Sequence, residues 1–445
     1  MNGDGDEILV TAEGPLKKRL LGIKEYGLRY KLHNELHVGA CQQISAPTQI
    51  SHLVVVCGND QAEHERKLIA QLCERYGVTP PTLHANYFSS VLGVFRLNWE
   101  RHTEYSTYTF FHTGPFETPF AEPAIRHVPE EWIKQLPGEV IVATHIALES
   151  KERPQRTLEE LGALFASNTV IGSEVAAGNA VVWTDNQIHV DGFGRILIHD
   201  VNLRSRQAGR LVHRLLEIET YRMLAMMPVP LVRSYIPQLA RFDERLAELT
   251  STNGEHSGND QALLDELTKL ASEIEAILAR TSHRINSSTI YYDIVKLRIS
   301  ELRERRIPGL QMFHEFVEQR LSPAMGTCAL VNNKLQTLST RVERASALLR
   351  TRVEISMEKQ SRDLLRSMDR RADLQLRLQE TVEGLSIVVL SYYLLGLVSY
   401  GLKGIKAAGL KFDTEVATGI AIPIVVAAVY FSVQRMKKAV HKQGQ

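Results

Sequence analysis

The chain has 445 residues, with 52 lysines and arginines against 51 aspartates and glutamates, and a net charge of +1. That balance excludes the strongly basic surface with which many proteins bind nucleic acid, so we expect no nucleic-acid partner. The length predicts about two or three domains. The four cysteines form no Cys-x-x-Cys pair, which indicates reduced thiols in a reducing compartment.

Residues 1–27 predict a flexible N-terminus. The stretch Met1–Pro15 is rich in glycine and aspartate and lacks the apolar core of a signal peptide. We therefore expect delivery to a membrane to depend on the apolar segments near the C-terminus.

Residues 28–202 predict an α/β cytosolic domain, because strand and helix patterns alternate there. Ile50–Gly58 is a β-rich apolar run, and Glu63–Tyr76 has the periodicity of an amphipathic helix. Further strands are predicted at Val94–His112 (one or two strands), at Val140–Ile146, and as a pair at Thr169–Thr184 and Ile188–His199 with Asp185-Asn186 at the turn. The pattern leaves the strand order open.

Residues 203–383 predict a helical domain and stalk. Helices are expected at Leu203–Met227, which ends at two prolines, and at Leu231–Leu249, before a polar linker at Ser251–Asn259. Two seams with coiled-coil spacing follow, separated by Pro308-Gly309. Their apolar positions are Leu263, Leu267, Leu270, Ile274 and Ile277 in the first, and Val331, Leu335, Leu338, Val342, Ala345 and Leu349 in the second. Such seams serve either helix packing within one chain or a stalk that joins subunits.

Residues 384–434 contain two uncharged apolar stretches, 384–402 and 416–434, each close to the roughly 20 residues that a helix needs to cross a bilayer. Their short connection predicts an antiparallel transmembrane hairpin. Basic residues are more frequent on the outer flanks, including the tail at 435–445, than in the connecting loop. The positive-inside rule therefore places both termini in the cytoplasm of a multi-pass protein of the bacterial inner membrane.

The first apolar helix carries a stripe at spacings of three and four residues. Its members are Ser386, Val389, Tyr393, Gly396, Tyr400 and Lys403. Tyr393 lies near the middle of the span, where its hydroxyl would lack a partner in lipid. The stripe therefore predicts either a contact with another helix, in which Gly396 permits close approach, or the lining of a pore.

Two groups of residues offer ligands for a divalent metal ion. A strand through Trp99–Tyr105 would place Glu100, His102 and Glu104 on one face, either as metal ligands or as part of an ion-pair ladder with arginines. Nearer the N-terminus, a strand would align His33, Glu35 and His37, but the metalloprotease pattern needs a glutamate directly after the first histidine. No cofactor other than such an ion is expected.

Several segments resemble a bacterial family of membrane-anchored proteins, known only as domain of unknown function 3422. They are WERHTEY at Trp99–Tyr105, RLSPAMGTC at Arg320–Cys328, RDLLRSMDRR at Arg362–Arg371 and QLRLQETVEGLSIVVLSYY at Gln375–Tyr393. The family's Glu-x-His followed by Ala-Arg-Pro stands here as Glu35-Leu36-His37 followed by Val38-Gly39-Ala40. The resemblance implies membrane anchoring but no activity.

The order of the predicted domains also resembles the CorA magnesium channels. In that family five subunits assemble, the first membrane helix lines the pore, and Gly-Met-Asn stands at its outer end. Here Tyr400-Gly401-Leu402-Lys403 occupies that place, and a ring of lysine ammonium groups would repel a hydrated dication. The resemblance implies a homo-oligomer, with a pentamer as the family's assembly, that is not a typical magnesium channel.

Three functions remain open at this stage. The leading hypothesis is a homo-oligomeric CorA-like ion channel, transporter or regulator in contact with the lipid bilayer. The alternative is a membrane-anchored cytosolic sensor or scaffold without transport activity. An enzyme is not expected, because the sequence contains no recognisable motif that pairs a nucleophile with a base. If the chain were an enzyme, the strand face with Glu100, His102 and Glu104 would be the candidate active site.

Overall fold

The computed structural model describes residues 26–29, 42–82, 84–251, 260–407 and 413–441. These residues group into two compact units, one of residues 1–252 and 268–343 and one of residues 253–267 and 344–445. The strands are β1 Thr48–Val56, β2 Tyr87–Leu92, β3 Phe95–Arg101, β4 Tyr105–Thr113, β5 Glu139–Glu149, β6 Ile171–Val175, β7 Ala180–Thr184, β8 Gly194–Asp200 and β9 Arg305–Arg306. The helices are α1 Ala62–Tyr76, α2 Glu130–Ile133, α3 Leu158–Leu164, α4 Ser205–Met226, α5 Val229–Ser251, α6 Asp260–Leu302, α7 Phe313–Ala407 and α8 Thr414–His441.

The strands of the first unit form one mixed sheet of nine strands in the order β2-β3-β4-β1-β5-β8-β7-β6-β9. Strand β1 lies inside the sheet and pairs antiparallel with both β4 and β5. The pairing of β5 with β8 is parallel. Strand β1 has a neighbour on each edge and is buried on both faces, and its second half, Leu53–Val56, is accordingly apolar without alternation. Its first half buries polar side chains, namely Thr48, Gln49, Ser51 and His52.

One face of the β2-β3-β4-β1 half of the sheet carries an apolar core. Alternate residues of β3, namely Phe95, Leu97 and Trp99, are fully buried there with Leu68 and Leu72 of α1. Burial of side chains of this size stabilises the fold by about 1.5–3 kcal/mol each. Helix α1 ends at a residue in the left-handed conformation, Gly77 with φ of 65°, as helices commonly do at a glycine.

The other face of the same strands is polar and is covered by helix α4. Leu224 of α4 packs with Val54 of β1 in a small apolar cluster. Toward β2 and β3 the apolar contacts give way to polar side chains, so the sheet and α4 enclose a cavity rather than a continuous core. The alternation of Arg96, Asn98 and Glu100 with apolar neighbours along β3 produces this division of faces.

The predicted α/β domain and the long helices after it are confirmed, with one local difference. The predicted strand at Thr169–Thr184 is a hairpin, β6 and β7, because Ala176 and Ala177 adopt φ values of 53° and 61° and turn the chain. Strand β7 does pair antiparallel with β8, and Asp185-Asn186 lies in their connection. The predicted linker at Ser251–Asn259 lies almost entirely outside the described residues.

The apolar seam positions of the helical region are buried within the chain. In the first unit, Leu270, Ile274 and Ile277 of α6 are at most 6% exposed, and so are Leu335 and Leu338 of α7. Burial inside one chain supports the first of the two alternatives for these seams, helix packing within the subunit. From residue 358 to residue 382 of α7, by contrast, every side chain is exposed.

Helices α7 and α8 each contain a stretch long and apolar enough, by length and composition, to cross a membrane. The most apolar windows have mean hydropathy 1.8 within Phe313–Ile405 and 2.2 within Thr414–Arg435. Little of either window is buried by the rest of the chain. The two apolar stretches predicted near the C-terminus are therefore helical: 384–402 lies within the much longer helix α7, and 416–434 lies within α8.

Candidate functional site

A polar cavity of about 240 Å³ lies between the sheet and helix α4. Strands β2, β3 and β4 supply Tyr87, Asn98, Glu100 and Thr107, and α4 supplies His213, Glu217, Thr220 and Tyr221. Helix α4 packs closely at Gly209 against the segment that precedes β1, where a Cβ atom would stand 1.7 Å from the carbonyl oxygen of Gln42. Glycine at this position therefore permits the close approach of α4 to the backbone of Gln42 at the rim of the cavity.

Hydrogen bonds fix the rim of the cavity around Gln42. The side-chain amide of Gln42 donates to Asn98 Oδ1 at 2.9 Å and to Ser89 Oγ at 2.5 Å. Its carbonyl oxygen accepts from Arg96 Nη1 at 3.1 Å. These polar side chains of β2 and β3 are therefore held in one arrangement before any ligand enters.

His52 of β1 forms part of the cavity wall in its neutral form. The Thr220 hydroxyl donates to the Leu216 carbonyl oxygen at 2.8 Å, so it accepts from His52 Nε2, which lies 3.2 Å away. The Thr109 hydroxyl is 2.8 Å from His52 Nδ1 and donates to it. Burial, together with the charges of the neighbouring His213 and His102, lowers the pKa of His52 to about 3. Both ring nitrogens of His52 therefore have hydrogen-bond partners, and the residue has a structural role.

Two carboxylates, Glu100 and Glu217, and two imidazoles, His102 and His213, are the charged or chargeable acid and imidazole groups that line the cavity. His102 Nε2 lies 4.0 Å from the Glu100 carboxylate, and His213 Nε2 lies 3.6 Å from that of Glu217. Burial raises the pKa of Glu100, the charge of His213 opposes that rise, and the charge of Glu217 adds to it. Burial also lowers the pKa of His102, whose ring stacks on Tyr105 at 4.3 Å between centroids.

The prediction that Glu100, His102 and Glu104 share one strand face is wrong. Strand β3 ends at Arg101, and the amide of His102 donates to the Tyr105 carbonyl at 2.8 Å, which closes a tight turn. Glu104 therefore leaves the face of Glu100. Its carboxylate accepts from Arg284 at 3.0 Å and from the Tyr291 hydroxyl at 3.5 Å, so an ion pair with an arginine is its observed role.

Within the described residues, no three histidine, cysteine, aspartate or glutamate side chains are grouped so that they could hold a metal ion. Glu100 and His102 do come together, but Glu104 does not join them. The other predicted ligands, Glu35 and His37, lie outside the described residues together with His33.

The stripe on the first apolar helix lies on the side of the helix opposite its covered face, which is the side that carries the buried residue Ser391. Tyr393 is 67% exposed, and Ser386, Tyr400 and Lys403 are exposed as well, whereas Gly396 is half-buried. The covered face runs through Ser391, which is 5% exposed. With about 3.6 residues per turn, Ser391 and the stripe lie on opposite sides of the helix. Lys403 Nζ stands 5.8 Å from the centre of the Tyr400 ring.

The sequence predicted Glu100 and His102 as site residues but not the residues of α4 that line the opposite side of the cavity. His213 and Glu217 are four residues apart on α4 and thus share a face, which is a readable signal. Nothing in the sequence showed that this face covers β3. The polar alternation of β3 predicts a solvent-exposed face equally well, and tertiary packing decides between the two.

The fold and the cavity thus define an α/β unit with a polar pocket, followed by long helices that include two apolar segments. The chain belongs to the family described as protein of unknown function (DUF3422), whose model matches residues 24–440. A search of the curated proteins finds no match to this chain.

Proposed function

We propose that this chain is an integral protein of the bacterial inner membrane that assembles from identical subunits and lets ions pass along the first apolar helices. In this proposal the two apolar helices form a transmembrane hairpin with both termini in the cytoplasm, as in the CorA architecture. The observation that carries the proposal is the position of the aromatic and polar stripe, on the uncovered side of helix α7.

A membrane environment is supported by the exposure of the apolar side chains. Leu385, Val388 and Leu397 of α7 are each at least 65% exposed, and so is Phe431 of α8. Leaving a side chain of this size in water instead of burying it costs about 1.5–3 kcal/mol of stabilising free energy. Lipid, or another copy of the chain, would remove this cost.

A hairpin is supported by the composition of the covered face of each helix. Val425 is buried on α8, and Ala417 and Ala421 lie on the same side and are half-buried. On α7 the corresponding position is Ser391. Small residues of this kind line helix contacts in membranes because they let two backbones approach closely.

The stripe would then meet other subunits instead of the second helix of its own chain. A tyrosine hydroxyl without a partner in hydrocarbon costs several kcal/mol, which disfavours Tyr393 against lipid. Around an axis formed by several subunits, Tyr393 and Tyr400 would line a polar path. Gly396 would permit the helices to approach closely.

Lys403 determines the ion that this path would favour. It ends the stripe at the position where the magnesium channels have asparagine, and it would form a ring of ammonium groups at the mouth of the path. Rings of lysine or arginine favour anions and repel cations, dications most of all. We therefore expect monovalent anions to pass and magnesium to be excluded.

Ion flux in liposomes that contain the purified full-length protein tests the proposal. We expect anion flux for the unsubstituted protein, comparable flux for Lys403→Arg, which keeps the charge, and loss of anion flux for Lys403→Glu. Absence of flux for every ion from folded, oligomeric protein would refute the proposal. So would equal anion flux for the lysine, arginine and glutamate forms.

A membrane-anchored sensor is a second candidate, and the polar cavity of the first unit favours it. A pore needs no preformed cavity between a sheet and a helix, whereas a sensor needs a place for its ligand. If ligand binding to this cavity is found in a protein that passes no ion, the sensor replaces the channel.

A further inference from the structure

Glu100 differs from four other partly or fully buried glutamates of the first unit in having no arginine within 4 Å among the described residues. The carboxylates of Glu65, Glu104, Glu149 and Glu217 each lie 2.7–3.0 Å from an arginine nitrogen. Among the described residues, the cationic group placed nearest to Glu100 is His102, and 4.0 Å is beyond hydrogen-bond distance. The cavity thus presents a carboxylate whose acceptor capacity is unused.

The cavity also contains aromatic rings, and one of them, Tyr87, is the cross-strand partner of Glu100. Tyr87, Tyr105 and Phe111 line it from the strand side, and Tyr221 lines it from α4. The faces of such rings attract cations, by about 0.5–1 kcal/mol at exposed sites and about 2 kcal/mol when the cation is desolvated. A carboxylate beside aromatic rings is the combination that recognises an organic ammonium group.

The remaining walls of the cavity suit a short carbon chain. Ile44, Val212 and Leu216 supply apolar surface, and the hydroxyls of Tyr105 and Tyr221 stand 3.4 Å apart. The volume of about 240 Å³ lies just below the range of about 300–1,000 Å³ that is typical of small-molecule sites. A ligand must therefore be small.

The geometry points to this cavity as a binding site for a small organic cation, whose ammonium group donates to Glu100 and whose carbon chain packs against the aromatic and apolar walls. A metal ion does not fit, because the described residues offer no set of three ligands here. The inference stands on the first unit alone and is independent of ion passage through the membrane.

The neighbouring charges agree with a bound cation. Glu217 is neutralised by Arg298, whose Nε lies 2.7 Å from Oε2, so it leaves Glu100 as the carboxylate free to pair with a ligand. Burial without a partner raises the pKa of Glu100. A bound ammonium group would lower that pKa again, because an opposite charge favours the ionised carboxylate.

Isothermal titration calorimetry of the full-length protein in detergent at pH 8 tests this site, with n-butylammonium as the probe and 1-butanol as its neutral counterpart. We expect n-butylammonium to bind and 1-butanol not to bind. Glu100→Gln removes the charge and keeps the shape, so we expect it to weaken binding of the ammonium ion at least tenfold. Glu131→Gln, a substitution at an exposed position outside the cavity, is the matched control and should leave binding unchanged.

Several outcomes would overturn the inference. They are absence of n-butylammonium binding, equal binding of 1-butanol, and equal affinity in Glu100→Gln and in the unsubstituted protein. The comparison of the two ligands on the unsubstituted protein decides whether charge is required, even if Glu100→Gln does not fold. Because the assay does not depend on flux, failure of the ion-path proposal leaves this result interpretable.

Discussion

Acidification should destabilise the first unit through His52; because this unit contains the nine-stranded sheet, it is called the sheet unit below. This imidazole is buried between β1 and α4 and is neutral, because the Thr220 hydroxyl accepts from Nε2 and the Thr109 hydroxyl donates to Nδ1. A proton on Nδ1 would turn an acceptor into a donor that faces a donor. Protonation therefore requires the Thr109 hydroxyl to reorient and a charge to be buried.

The size of the effect follows from the two pKa values. Burial lowers the pKa of His52 to about 3 in the folded chain, against about 6.5 in the unfolded chain. The unfolded state thus binds a proton first, and the stability that is fully present above pH 6.5 is lost as the pH falls toward 3. At about 1.36 kcal/mol per pH unit, the loss between pH 7.5 and pH 5 is about 2 kcal/mol.

Tryptophan fluorescence reports on this unit specifically in the full-length protein. All three tryptophans of the chain, Trp99, Trp132 and Trp183, lie in the sheet unit and are buried. Urea unfolding at pH 7.5 and at pH 5 should show that His52→Gln, which keeps a donor and an acceptor but cannot titrate, loses about 2 kcal/mol less than the unsubstituted protein. The exposed His64→Gln is the control. An equal loss for His52→Gln and the unsubstituted protein would refute the reasoning.

Two further predictions use the same fluorescence assay. Gly209→Ala should destabilise the sheet unit by about 1–3 kcal/mol, because the new Cβ atom would clash with the Gln42 carbonyl oxygen. The control Gly162→Ala adds a Cβ atom to open space and should be neutral or stabilising by up to about 1 kcal/mol. Similar effects of the two substitutions would contradict the close approach of α4. Glu65→Ala should cost about 3–5 kcal/mol, because it leaves the buried guanidinium of Arg101 without its carboxylate, and a cost below about 1 kcal/mol would show that this ion pair is not needed.

Segments with strong periodicity were predictable from the sequence. Ile50–Gly58 was expected as a strand and β1 spans Thr48–Val56, while Glu63–Tyr76 was expected as a helix and α1 spans Ala62–Tyr76. In both, the apolar pattern agrees with the burial that the fold imposes. An element can be predicted from the sequence when its local pattern and its tertiary environment agree in this way.

The turn after Arg101 and the order of the strands were not predictable. WERHTEY continues the alternation of β3, and only the hydrogen bond from His102 to Tyr105 reveals that the chain reverses there. The order of the sheet depends on contacts between distant segments, such as β5 with β8, for which the sequence contains no local signal. Half of the candidate site was missed for the same reason, because His213 meets Glu100 only through the packing of α4.

The most direct test of the central claim is disulfide cross-linking between subunits in the native membrane. Tyr393→Cys places a thiol on the stripe, and Leu395→Cys places one on the half-buried covered face of the same helix. The unsubstituted chain, whose cysteines at 57, 73 and 328 are buried, gives the background. If the stripes of several subunits meet, Tyr393→Cys forms dimers under oxidation and Leu395→Cys does not. Dimers from Leu395→Cys alone, or equal cross-linking at both positions, would contradict the account.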